Sequence, residues 1–251
     1  MSNTGFKRYI RGAQRGKILI AVLFFTAALF QTQSNTAKAN IKDVPGQIKI
    51  SAVSSFNSVA TQTDLFGTSE KRSTKLKAFT KWSEMFDRFE QQIKSPSSSA
   101  TISALQKDLR SLQGLSLPAM AGRVNKMMNA KRYITDKSNW GKTDYWATPV
   151  EFLQRGGDCE DYAIAKYTAL RMLGVPEERL RIAIVQDKIK NIPHAVLVVY
   201  TDEGSLVLDN QSKSVWTNAQ AAKRYRAIYT INRTAWWLHT NQGVTRLASA
   251  D

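Results

Sequence analysis

From Lys75 to Ile93 the apolar residues Leu76, Phe79, Trp82, Phe86, Phe89 and Ile93 recur every three or four positions, the stripe of an amphipathic helix. SPSSSAT, Ser95 to Thr101, interrupts the stripe as a loop. A second helix is expected from Thr101 or Ser103 to Gln113, ended by Gly114. A third spans about Pro118 to Ile134 and turns Met120, Val124, Met127 and Met128 into the core. SNWGKTDYWATPVEF, Ser138 to Phe152, reads as a loop dense in aromatics with a short helix near Pro149. Gly156 and Gly157 form a flexible approach to a further helix, about Cys159 to Leu173. Asp158 stands at its N-cap with Asp161 three residues on, and Gly174 and Pro176 end it.

The pattern then changes period. LRIAIVQD, HAVLVVYT and SLVLDN are β-branched runs that read as strands, with Asp202 to Gly204 as a hairpin turn. RAIYTIN and TAWWLHT read as one more pair. A helical N-terminal half, an antiparallel C-terminal sheet and the Cys159 helix packed on that sheet make an α+β fold. No internal repeat is visible.

The first 39 residues follow a different rule. Lys7, Arg8, Arg11, Arg15 and Lys17 form a basic head, ILIAVLFFTAALF an apolar run of 13 residues, and Ala37-Lys38-Ala39 a small-residue cleavage pattern. This is the layout of a secretory signal peptide, and the run is short of the roughly 20 residues of a spanning helix. The expected organisation is a signal peptide over 1–39, a loosely structured lead-in over 40–70 and one domain over 71–251. The domain divides into a helical part, 71–173, and a sheet part, 180–240. Removing the six Lys+Arg of the leader lowers the net charge from +16 to +10. The remaining basic charge is scattered, no nucleic-acid motif occurs, and the chain is expected outside the cytoplasm, so nucleic acid is not the expected partner. An acidic envelope surface or partner suits the charge, and so do plain solvated faces.

One cysteine permits no internal disulfide and leaves a thiol that is either buried and inert or kept for chemistry. Cys159 opens a helix, where N–H groups favour a thiolate and can hold an oxyanion. A nucleophilic cysteine needs a base, and the chain has two histidines, His194 and His239. If the turn after Thr201 has two loop residues, Thr201 pairs with Gly204, Val196 faces Asp209, and His194 becomes a diagonal neighbour of Asp209 on one face. Asp209 is then placed to hold the imidazole tautomer. Against this, Asp158, Glu160 and Asp161 crowd the thiol with negative charge. They are either a cap and ordinary first-turn acids, or ligands of a cation such as Ca²⁺. Spacing alone leaves both readings open.

NWGKTDYWATPVEFLQRGGDCEDYAIAKYTALRMLGV, then HAVLVV, then LVLDNQ, resembles the bacterial transglutaminase-like cysteine proteinases, the LapG-type periplasmic proteases that release large surface adhesins. The resemblance covers roughly Lys131 to Trp237. It implies a papain-like or transglutaminase-like core and a Cys159-His194-Asp209 triad. It also implies a Ca²⁺ site that includes Asp158 and Glu160, with Asp161, Asn139 and Asp144 as further candidates. The implied function is a periplasmic, calcium-dependent cysteine endopeptidase that cuts the N-terminal region of a large repeat-containing adhesin and so promotes biofilm dispersal. The implied regulator is an inner-membrane cyclic-di-GMP receptor that sequesters the protease. A transglutaminase or amidase with the same triad is the alternative, and a binding module with a dead site a third. Trp140, Tyr145 and Trp146 are expected either in the core or on a docking surface near the cleft.

Overall fold

In the computed structural model the described residues are 64–241; the expected signal peptide and residues 40–63 of the lead-in lie outside them. The β-branched runs form the strands they predict. β1 is Thr68–Ser73, β2 Leu180–Asp187, β3 Ile192–Thr201, β4 Gly204–Leu208, β5 Trp216–Thr217, β6 Tyr225–Ile231 and β7 Trp236–Asn241. Among the described residues they make one antiparallel sheet in the order β1-β7-β6-β2-β3-β4-β5. The helices are α1 Thr80–Gln92, α2 Pro96–Arg110, α3 Leu117–Asn129, α4 Asp136–Trp140, α5 Pro149–Arg155, α6 Cys159–Met172 and α7 Asn218–Arg224. The architecture is α+β.

The central strands read as continuous apolar runs because both faces are covered. Ile182, Leu197, Val199, Leu208 and Ile231 join the core shared with α1, α2, α3, α5 and α6. Ala183, Val185, Val196, Val198 and Val207 face the other way, under Leu65, Phe66 and Ala221 of α7. α6 lies between sheet and helices, and every residue from Asp161 to Met172 is buried. No amphipathic stripe marks such a helix. Its cap and its terminating Gly174 announce it instead.

Four boundaries differ from expectation, each for a tertiary reason. α2 begins at Pro96, so the serine run is its first turns and not a loop. Proline at the first helical position loses no hydrogen bond, and Ser98, Ile102, Leu105 and Leu109 bury one face. α3 stops at Asn129 because the following segment pairs with Gly157: Ile134 N–H donates to Gly157 O at 3.0 Å and Gly157 N–H to Arg132 O at 3.3 Å. Residues 68–70 belong to strand β1 and not to the lead-in, because the polar run TSEKRS closes the sheet edge against β7. α1 starts at Thr80, five residues late, since Phe79 turns toward the sheet and packs on Tyr229 and Trp236 at 5.4 and 5.3 Å.

Candidate active site

The β3–β4 hairpin has the two-residue loop on which the sequence argument depended. Thr201 pairs with Gly204 and Leu197 with Leu208. Asp209 follows the last paired residue and shares a face with His194. His194 Nε2–H donates to Asp209 Oδ1 at 2.9 Å, and both are buried. Two further donors hold the carboxylate: Gln211 N–H at 2.9 Å and Tyr225 Oη–H at 2.6 Å. Burial pushes the Asp209 carboxyl up, but the hydrogen bond and charge of His194, then Tyr225 and Gln211, bring it below the usual range. With its proton on Nε2, His194 has its lone pair on Nδ1, which Gln211 Nε2 approaches at 3.3 Å. The two-residue hairpin register already sets Gln211 opposite His194, whereas Tyr225, which comes from β6, was not legible as a site residue.

Cys159 opens α6 and is half-buried. Its thiol donates to Glu160 Oε2 at 3.2 Å. Burial, then the charge and hydrogen bond of Glu160, then the charge of Asp158 push the thiol far up, and the N–H of Ala195 acts in the opposite direction. Ala195 is the neighbour of His194 on β3, so helix and sheet bring the thiol beside the histidine strand. Gly156 and Gly157, which lead into α6, do not serve flexibility. A Cβ on Gly156 would lie 2.2 Å from Arg132 O, and one on Gly157 2.2 Å from Asp161 Oδ2. The pair lets the chain pass against its neighbours and present the thiol at the helix start.

The acids gather as a cluster. Oxygens of Asp136, Asp158 and Asp161 lie within 4.8 Å of one another, and so do those of Asp136, Asp144 and Glu160. Asp136 was missed, because the short helix it opens carries no periodic signal. Its Oδ2 accepts from Tyr145 N–H, and Asp158 Oδ2 accepts from Asp136 N–H at 3.2 Å. Asp136 Oδ1 and Asp158 Oδ1 are buried without a hydrogen-bond partner. Asp161 Oδ1 accepts from Ala147 N–H at 2.7 Å and its Oδ2 from Asp158 N–H at 3.2 Å. Burial, opposed by the Tyr145 N–H and aided by the charge of Asp158, raises Asp136 to about 6. Burial, against the Ala147 N–H and with Asp158, raises Asp161 to about 8. Burial followed by Asp158 and Asp161 raises Glu160 well above its usual value. Crowded, buried carboxylates with orphaned oxygens fit a hard cation that takes oxygen ligands.

The remaining candidates differ in placement. Asp144 belongs to the cluster and also pairs with Lys81. Asn139 is buried, but its Nδ2 donates to Gly156 O at 3.2 Å, tying α4 to the glycine pair. Trp140, Tyr145 and Trp146 are half-buried. Trp146 packs on Trp82 and Trp140 on Tyr145, while Tyr133 is 56 % exposed and stacks on Tyr162 of α6. His239 lies apart from Cys159, hydrogen-bonded to Thr68 and Thr230.

The family model for bacterial transglutaminase-like cysteine proteinases matches residues 85–244. Calcium-bound LapG from Legionella pneumophila is 31% identical over 59% of this chain and 86% of that one, with a TM-score of 0.51. The EGTA-treated form of the same protein is 32% identical over 59% and 84% of the two chains, also with a TM-score of 0.51. No curated protein sequence matches.

Proposed function

The chain belongs to the bacterial transglutaminase-like cysteine proteinases, and from that premise we propose that it is a calcium-dependent cysteine endopeptidase using Cys159, His194 and Asp209. The carrying observation is the buried His194–Asp209 pair, with Nε2–H given to the carboxylate and Cys159 beside the next residue on the same strand. His194 Nδ1 takes the thiol proton as Sγ attacks the substrate carbonyl carbon. The partial positive charge of the α6 N-terminus favours the developing oxyanion. The imidazolium then gives its proton to the leaving amine, whose C–N bond breaks, and the acyl-enzyme remains. Water adds with His194 again as base, and the carboxylic product leaves Sγ as thiol. Asp209 stays ionised throughout and holds the ring in one orientation.

Asp158, Glu160 and Asp161, with Asp136 and Asp144, are the residues that would hold Ca²⁺. When bound, the ion offsets the carboxylate charge that otherwise keeps the Cys159 thiol protonated. Asn139 supports this loop through Gly156.

The proposed substrate is the N-terminal region of a large repeat-containing surface adhesin, released from the cell as a biofilm disperses. The proposed location is the periplasm, reached through the leader over 1–39. The proposed regulator is an inner-membrane cyclic-di-GMP receptor that captures the protease. Family membership and the sequence resemblance support these three readings. The test incubates the purified protein and its Cys159→Ala variant with surface proteins of its own host in Ca²⁺, followed by mass spectrometry. Two fragments of one large repeat protein, formed only by the wild type, are expected. An amine linked to a glutamine side chain would make it a transglutaminase instead, and no product a binding module.

A further inference from the structure

Asp187 is a buried carboxylate that the proposed mechanism does not use. It ends β2, and both of its oxygens are committed. Oδ1 accepts from the N–H groups of Ile189 and Lys190 at 2.9 and 3.0 Å, which folds the turn into β3. Oδ2 accepts from Nε and Nη2 of Arg224, at the end of α7, at 3.0 and 2.7 Å. Charge-assisted bonds of this kind are among the strong ones, and here they fix the turn and the arginine together.

The two segments so fixed converge on one side chain. Lys190 Nζ donates to Gln211 Oε1 at 2.6 Å, and Arg224 Nη2 donates to the same oxygen at 2.7 Å. Lysine and arginine can only donate, so this end of the carboxamide is the oxygen and the amino group points the other way. It points at His194. Gln211 Nε2 lies 3.3 Å from Nδ1 and 3.5 Å from Nε2 of the ring. An atom on the Nδ1 lone pair would be far from Nε2. One that is almost equidistant from both nitrogens lies over the ring face, where an N–H meets the π-electrons. The carboxamide therefore covers the imidazole and leaves the Nδ1 lone pair open to the thiol.

We propose that Gln211 is a positioning residue of the active site: its carboxamide, clamped by Arg224 and Lys190, lies on the face of His194 and stops the ring from pivoting on its bond to Asp209. The inference rests on the catalytic reading given above. The bond from Nε2–H to Asp209 Oδ1 holds the ring at one atom. It sets a distance but lets Nδ1 swing, and attack geometry tolerates little misplacement. Tyr225 packs near the ring at 5.6 Å, but its hydroxyl is committed to Asp209. The clamp on Gln211 supplies the missing direction, and it draws its own rigidity from buried Asp187.

The test uses Gln211→Ala, Arg224→Lys and the double variant in the full chain with Ca²⁺. Gln211 is exposed, and its backbone N–H bond to Asp209 survives replacement by alanine. On a peptide that the wild type cuts, Gln211→Ala should lower kcat about tenfold and leave KM within about twofold. Arg224→Lys keeps a cation for Asp187 but lacks the fork that reaches Gln211 as well, and should lower kcat about threefold. In the Gln211→Ala background it should cost nothing further, because it acts through the side chain already removed. Alkylation by iodoacetamide repeats the comparison without a substrate, since Cys159 is the one thiol of the chain. Its rate should fall in both single variants and no further in the double variant. His194→Ala separates the two readings in this assay. If it reacts at the wild-type rate, the triad is wrong and the proposal falls with it. If it reacts slowly while Gln211→Ala reacts at the wild-type rate, the triad stands and the proposal is overturned. Equal losses from Arg224→Lys in both backgrounds, or a loss in Gln211→Ala confined to KM, would overturn it as well.

Discussion

A histidine serves as a base only if one ring nitrogen keeps a free lone pair where the nucleophile stands. His239 does not. Thr68 Oγ1 donates its hydrogen to Leu65 O at 2.6 Å, so at 2.7 Å from His239 Nδ1 it must accept. Nδ1 therefore carries the proton, and Nε2 accepts from Thr230 Oγ1 at 3.1 Å. Burial, then the charge of Arg181, lowers this histidine to about 4. On one peptide substrate, His194→Ala should cost several orders of magnitude in kcat/KM, and His239→Gln no more than about threefold. The reverse order would move the base to β7, three strands away from β3 in the sheet. His239 should also make stability depend on pH. Unfolded, it titrates near about 6.5. Between that value and about 4 the unfolded chain binds the extra proton. Its stabilising contribution is present above the unfolded value and is lost as pH falls through the folded one. From pH 7 to 4.5 the wild type should lose more melting temperature than His239→Gln, and an equal loss would contradict the buried neutral tautomer. At this scale the sequence was informative where residue types were scarce. One cysteine and two histidines left little choice, and strand register decided between the histidines. Tyr225 was illegible because nothing local separates a carboxylate-bound tyrosine from an ordinary one.

Elements were legible where a single rule governed them. β2, β3 and β4 are apolar on both faces, and α6 is bracketed by its cap and Gly174. β1 was not, because a polar edge strand has no apolar period and exists only by pairing with β7. α7 is short and buries little beyond Ala221, so its period is equally weak. The glycine pair before α6 was visible, but its purpose was not. Composition suggests flexibility, whereas the contacts show crowding. Gly156 has a φ of +82° as well as the 2.2 Å approach to Arg132 O. Gly114 has a similar φ of +79° with nothing within 4 Å of a Cβ. Alanine at Gly114 should therefore cost only the left-handed backbone, about 1 kcal/mol. Alanine at Gly156 adds a collision with backbone that cannot move without displacing the segment paired to Gly157. It should cost roughly 2–4 kcal/mol and cleavage should fall with it. Urea midpoints of the two variants decide the matter. If Gly156→Ala is no worse than Gly114→Ala, crowding is not why glycine stands there.

At the scale of the molecule, the site is a junction. The thiol comes from the helical half, and the imidazole and its carboxylate from the sheet. The acid cluster adds a second junction, drawing on α4 through Asp136, the following loop through Asp144, and the start of α6 through Asp158, Glu160 and Asp161. Three chain segments that converge with like charges destabilise their own convergence. A cation that binds the folded arrangement and not the unfolded chain reverses the effect and stabilises the whole unit by mass action. At a Ca²⁺ concentration about a hundredfold above the dissociation constant the gain is roughly 2.7 kcal/mol. For a chain of this length that corresponds to about 5–10 °C in melting temperature. Calcium should therefore raise the melting temperature over a chelator-treated sample, and Mg²⁺ should raise it much less, because it holds its waters and demands a tighter shell. Glu160→Ala separates the two roles of the acids. It removes a ligand and leaves Asp158 and Asp161 to close the helix start, so it should abolish the calcium shift while keeping the melting temperature of the chelated wild type. Asp158→Ala should lose the calcium shift and melt lower still. Identical melting of the wild type in calcium and in chelator would return all three acids to caps and first-turn charges. The thiol would then have to work beside them without a cation, and the junction would be held by packing alone.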